Sequence, residues 1–123
     1  MSRFLLSTIF ALRGIKLAIK SEPNLKMHFL ALLLVSVLGW YFQFTTSEWI
    51  ACLFCSALVI SFELMNTAIE GIADYVQPEL SVAIGRIKDI SAGAVLFSSL
   101  FAFTVGLIIV APKCYSLFIS TYN

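Results

Sequence analysis

Charge is absent from residues 29–44, a run of Leu, Val, Ala and Phe that closes on the cluster Trp40-Tyr41-Phe42. A bilayer core about 30 Å thick is crossed by about 20 helical residues, and Trp and Tyr gather where such a helix meets the headgroups. The polar break Thr45-Thr46-Ser47-Glu48 follows, and a second apolar run extends from Trp49 to Phe62. Nothing ends its helix there: residues 63–75 are good helix formers and the next proline is Pro78. A third run covers residues 92–110, and Pro112 predicts its end. The pattern therefore predicts spans at about residues 27–44, 49–75 (including a cytoplasmic extension) and 86–111.

Residues 2–20 precede these spans and stop before Pro23. Arg13, Lys16 and Lys20 recur at i, i+3 and i+7, a narrow basic stripe on an otherwise mostly apolar helix. That pattern suits a helix lying in the headgroup plane. The run from Phe4 to Leu12 is long enough for a signal-peptide core, but four basic residues and Glu22 come before the next apolar run. No A-x-A site follows it, so the segment is expected to stay on the mature protein. The expected fold is an all-α membrane protein: three transmembrane helices preceded by an amphipathic N-terminal surface helix, one membrane-embedded domain over residues 1–123.

Composition strengthens the membrane reading. The 123 residues are 60% hydrophobic and 12% charged, with a mean hydropathy of +0.97. A soluble domain carries about 25% charged residues, so this chain cannot cover a water-facing surface. An ordinary soluble enzyme and a disordered tail are excluded, and a net charge of +1 excludes a basic nucleic-acid binder. Cys52 and Cys55 form a C-x-x-C inside an apolar run with no second pair to complete a zinc site, and Cys114 stands apart in the sequence. All three read as small apolar side chains without a redox or metal role.

Charge distribution gives an orientation. Arg3, Arg13, Lys16, Lys20 and Lys26 precede the first span, Arg86 and Lys88 separate the second from the third, and only Lys113 follows the third. Seven of eight basic residues thus share one side, which the positive-inside rule places in the cytoplasm. Six of seven acidic residues, all but Glu48, fall on that same side.

Glu63, Asn66, Glu70 and Asp74 are separated by three, four and four residues, which aligns them on one helix stripe over about three turns. Glu63 directly follows the apolar run, where a carboxylate is costly, about 2.5–3.5 kcal/mol at a helix centre and less toward the interface. A solvated helix end accounts for Glu70 and Asp74 but poorly for Glu63 and Asn66. Glu22 at the entrance of the first span and Lys88-Asp89 before the third bring further charge to the same level. Oxygen ligands of this kind suit Mg²⁺, held by one or two carboxylates plus substrate phosphates, and Lys88 could serve a phosphate. Metal-dependent phosphoryl chemistry at the cytoplasmic interface is the sharpest reading. Neither G-x-x-x-x-G-K-[ST] nor G-x-G-x-x-G occurs, so no soluble kinase fold is implied. Phosphoryl transfer depends mostly on positioning and charge neutralisation, which a small helical site can supply. His28, the only histidine, fits equally an interfacial polar residue and a functional one.

The segment Glu63-Leu-Met-Asn66-Thr-Ala-Ile-Glu70, followed by Gly85-Arg-Ile-Lys88-Asp89 and a small-residue entry to a span, resembles the bacterial diacylglycerol kinase family, which includes undecaprenol kinases. Gly14 and Glu22-Pro-Asn24 with His28 stand where that family has its glycine and its E-x-N-x-x-x-H stretch. The resemblance runs from about Arg3 to Val110, and E-[LI]-x-N-[ST]-A-[IV]-E is highly specific. It implies a homotrimer in the bacterial cytoplasmic (inner) membrane, with the N-terminus and the sites facing the cytoplasm and each site built from neighbouring protomers. Glu63 would be the base that takes the proton of a lipid hydroxyl. Glu22 and Glu70 would hold the divalent cation, Mg²⁺, that bridges the phosphates of ATP. Lys88 and Asp89 would contact the nucleotide, Asn66 and Asp74 would support the site, and Arg3 matches an arginine used near substrate and nucleotide. Some members carry Glu-Tyr-His where this chain has Glu79-Leu80-Ser81, a change that only backbone contacts to nucleotide would survive.

The function this implies is ATP-dependent phosphorylation of a membrane lipid alcohol, diacylglycerol to phosphatidic acid. Undecaprenol is the alternative acceptor, because Asn24 and His28 look more like the undecaprenol kinase branch. A small oligomeric ion or proton transporter is the competing class, but a carrier carboxylate should lie near the bilayer midplane, whereas these carboxylates gather at one surface. A structural adaptor leaves the carboxylate stripe without a role.

Overall fold

The computed structural model describes residues 2–79 and 81–122, which form four α-helices and no strand. They are α1 (Arg3–Ser21), α2 (Pro23–Tyr41), α3 (Thr46–Val76) and α4 (Val82–Tyr122). Among the described residues, α2, α3 and α4 are long and apolar enough to cross a membrane. Their outward faces carry Leu33, Leu34, Phe54, Leu96, Phe97, Leu100 and Phe101, large apolar side chains suited to lipid rather than water. α3 packs most extensively on α4 and next on α2, while α1 rests more lightly on α2 and α3.

The joint between α1 and α2 is a single residue. Glu22 is extended (φ −102°, ψ 112°), its N–H closes α1 on the Ala18 carbonyl at 2.9 Å, and Pro23 opens α2. Proline suits a first helical position because the N–H it lacks has no partner there. The Glu22 side chain makes no capping hydrogen bond, which leaves its carboxylate for other work.

α2 was expected to reach residue 44 but ends at Tyr41. Gln43 takes a left-handed φ of 50°, and the Phe44 N–H turns back to the Gly39 carbonyl at 2.8 Å. The turn buries Phe44 against Trp49, with ring centroids 5.7 Å apart. Thr45 and Glu48 then start α3 through a reciprocal capping box, the Thr45 N–H donating to Glu48 Oε2 at 2.7 Å.

Pro112 does not end the helix: α4 runs through it to Tyr122. Just past the proline, α4 makes a contact remote in sequence. Lys113 places its ammonium 3.0 Å from Glu48 Oε1 and 5.5 Å from the centre of the Phe44 ring, tying α4 past the proline to the α2–α3 turn. Glu48 and Lys113, the two charged residues that charge counting separates from all others, therefore meet at one end of the bundle.

Candidate functional site

The other end of the bundle collects the carboxylates. α3 presents its stripe with a gradient of burial: Glu63 is 2% exposed, Asn66 8%, Glu70 half-buried and Asp74 exposed. A solvated helix end therefore describes Asp74 but not Glu63. The Thr67 hydroxyl donates to the Glu63 carbonyl at 2.9 Å, so a polar group lines this turn without using the Glu63 side chain.

Glu63 faces the first turns of α2. His28 Nε2 stands 4.0 Å from Glu63 Oε2, and the Asn24 side chain also acts on the carboxylate. Glu22 and Glu70 are close enough to act on it electrostatically. Glu63 on α3, Asn24 and His28 on α2, and Glu22 at the α1–α2 joint thus lie toward one end of the bundle, with Glu63 nearly sealed.

One turn further along α3, Asn66 Nδ2 donates to Glu70 Oε1 at 3.0 Å. Asn66 Oδ1 is buried without a hydrogen-bond partner, and a buried acceptor left so costs about 1–3 kcal/mol. Beyond it, Lys88 on α4 pairs with Asp74, which brings α4 to the charged end. Asp89 is exposed beside Lys88. Leu80, in the loop where nucleotide contacts were considered, lies outside the described residues, while Ser81 immediately precedes α4.

Arg3 does not join this group within the chain. It opens α1 while Glu22 follows its end, a separation of roughly 28 Å along the helix. Among the described residues, no three His, Cys, Asp or Glu side chains are placed to hold a metal ion. The oxygen chemistry nonetheless fits a hard divalent cation: Glu22 is free of capping, Glu70 is half-buried, and the Asn66 oxygen between Glu63 and Glu70 lacks a partner.

In the sequence, Asn24 and His28 mark the likeness to the undecaprenol kinase branch, without a chemical role for either. Their spacing held the signal. Asn24 and His28 are four residues apart and so share one face of α2, just beyond Glu22, which precedes the helix. A cavity of about 390 Å³ opens between α2, α3 and α4, with His28 at the charged end and Ala31, Val35 and Leu38 continuing along α2. Cys52 and Cys55 line it as free thiols.

Comparison with known proteins identifies the family. Residues 9–110 match the family described as prokaryotic diacylglycerol kinase. The chain is 31% identical over 113 residues to an undecaprenol kinase of Bacillus subtilis, covering 92% of each protein. It is 32% identical over 93 residues to a diacylglycerol kinase of Haemophilus influenzae, covering 75% of this chain and 78% of the relative. A helical, membrane-spanning chain whose charges gather around a buried glutamate, matched over most of its length, belongs to the prokaryotic diacylglycerol kinase family of lipid kinases.

Proposed function

We propose that this protein transfers the γ-phosphoryl group of ATP to the hydroxyl of a membrane lipid alcohol, with Glu63 as the base. The observation that carries the reading is Glu63 itself: a carboxylate 2% exposed on a membrane helix, faced by His28 and Asn24 and flanked by Glu22 and Glu70. A buried carboxylate in such company is maintained by a function rather than by stability, since burying a charge is costly.

The steps follow from where the residues stand. The lipid hydroxyl approaches Glu63 from the membrane, and the cavity beginning at His28 gives its hydrocarbon portion an apolar place beside the carboxylate. Glu63 accepts the hydroxyl proton as the oxygen–phosphorus bond forms and the bond to the ADP oxygen breaks. General-base assistance of this kind contributes about 10²–10⁴-fold. Glu22 and Glu70 would hold Mg²⁺, with the Asn66 amide binding Glu70 in place. The ion supplies charge neutralisation on the phosphates. Lys88, released from Asp74, and Asp89 meet the nucleotide, and Asp74 steadies Lys88 between turnovers.

The site faces the cytoplasm, where ATP is available, in accord with seven of eight basic residues on that side. Arg3 reaches a site only from elsewhere in an assembly, because it stands far from Glu63 in its own chain; this supports a homotrimer with sites shared between protomers. Diacylglycerol is the acceptor we propose first, giving phosphatidic acid. Undecaprenol is the second reading, favoured by Asn24 and His28 and by the extent of the match to the Bacillus relative.

The test is purified protein in mixed micelles with γ-phosphate-labelled ATP, Mg²⁺ and each alcohol in parallel. Labelled phosphatidic acid supports the first acceptor, and faster labelling of undecaprenol transfers the proposal to the second. No labelling of either lipid by folded, assembled protein overturns the kinase reading for this chain.

A further inference from the structure

A base sealed inside a membrane protein has a second problem besides catalysis: the proton it takes must leave before the next turnover. The Glu63 side chain is 3% exposed, so water has little access to its carboxylate. The groups acting on it are Glu22, Asn24, His28 and Glu70. Asn24 is an amide and does not exchange charge by taking a proton near neutral pH. Glu22 and Glu70 are carboxylates committed to the cation in the reading above, and protonating either would release it. Imidazole is the side chain suited to accept and release a proton between pH 5 and 8.

Geometry agrees with this elimination. His28 Nε2 is 4.0 Å from Glu63 Oε2, about one ångström beyond a hydrogen bond and within reach of a side-chain adjustment or one bridging water. The His28 side chain is 22% exposed against 3% for Glu63. His28 also lies only five residues beyond Pro23, about 7.5 Å along α2 from its charged beginning. On its cavity side, α3 presents the thiols Cys52 and Cys55 and α4 presents no titratable group, so nothing there competes for the proton as a neutral-pH base.

We propose that His28 is the outlet for the proton that Glu63 takes from the lipid hydroxyl. The proposal rests on Glu63 being the base. After transfer, protonated Glu63 donates from Oε2 to Nε2 of neutral His28, breaking the O–H bond and forming an N–H bond. The carboxylate is restored and the ring becomes imidazolium. The ring then releases one proton from Nδ1 to water at the membrane surface, and exchange of the remaining proton returns the starting tautomer. One proton leaves per phosphoryl group transferred, and no other reactant is required. His28 acts through Glu63 and does not touch the transferred group, so it is a positioning and proton-accepting residue.

The experiment compares wild type, His28→Gln, His28→Ala and Glu63→Gln in the mixed-micelle assay, with assembly checked by size-exclusion chromatography. His28→Gln keeps a polar side chain but cannot carry the proton. Its kcat is expected to fall at least tenfold while KM for ATP and for lipid changes less than twofold. Added imidazole is expected to restore His28→Ala in proportion to its concentration and to leave Glu63→Gln inactive. A His28→Gln enzyme within twofold of wild-type kcat, or a folded His28→Ala enzyme that imidazole does not restore, overturns the outlet. Full activity in Glu63→Gln instead overturns the base, so the two failures are distinguishable.

Discussion

Lys113, one residue past a proline inside a helix, lies 3.0 Å from Glu48 at the start of a different helix. Glu48 Oε2 accepts the Thr45 N–H while its other oxygen meets Lys113, so one carboxylate both caps α3 and clasps α4. Because the clasp sits at the opposite end from Glu63, its loss should be felt in structure and not in chemistry. Lys113→Gln is expected to increase hydrogen exchange in residues 112–121 and lower the thermal midpoint slightly, with the transfer rate per folded protein within twofold. Unchanged exchange would show that α4 continues past Pro112 without the clasp.

Gly39 occupies the same end for a steric reason. A Cβ at this position would lie 2.7 Å from Trp49 Cη2 and 2.9 Å from Phe44 Cδ2, closer than carbon atoms pack. Both rings are held by the turn and by each other, so neither can retreat freely. Gly39→Ala is expected to destabilise the protein by about 1–3 kcal/mol, the usual range for overpacking. Reversible denaturation in detergent checks this, and a neutral result would mean that the turn repacks.

At the charged end, Glu70 accepts from Asn66 and is proposed to hold the cation. Glu70→Gln keeps the shape and the capacity to pair with Asn66 but removes the charge. The Mg²⁺ concentration for half-maximal transfer is expected to rise about 10–100-fold, the range seen when metal-site support is lost. A titration curve superimposable on wild type would remove Glu70 from the cation.

The sequence made some of this legible and withheld the rest for physical reasons. Helix number follows from apolar run lengths, and the alignment of Glu63, Asn66, Glu70 and Asp74 follows from helical periodicity within one element. Their unequal burial does not, since it depends on how α2 covers α3. The pairing of His28 with Glu63 spans 35 residues of chain, and that of Lys113 with Glu48 spans 65, so no local spacing announces either. Pro112 shows the limit most clearly: α4 runs through this local stop signal, and one residue later Lys113 makes a tertiary contact with Glu48 that no local pattern announces. Gln43 likewise ends α2 earlier than its apolar run, because burying Phe44 against Trp49 favours a tight turn.

The central claim is that a sealed carboxylate performs the proton abstraction in lipid phosphorylation. Glu63→Gln tests it directly, because the amide fills the same space beside His28 and Asn24 but has no base. The decisive measurement is the initial rate of label transfer from ATP to lipid by wild type and Glu63→Gln, under identical micelle conditions and with matched elution on size exclusion. The expected result is labelled lipid with wild type and a loss of about 10²–10⁴-fold in the variant, the contribution of a positioned base. A variant that assembles normally and transfers phosphate at the wild-type rate would contradict the account.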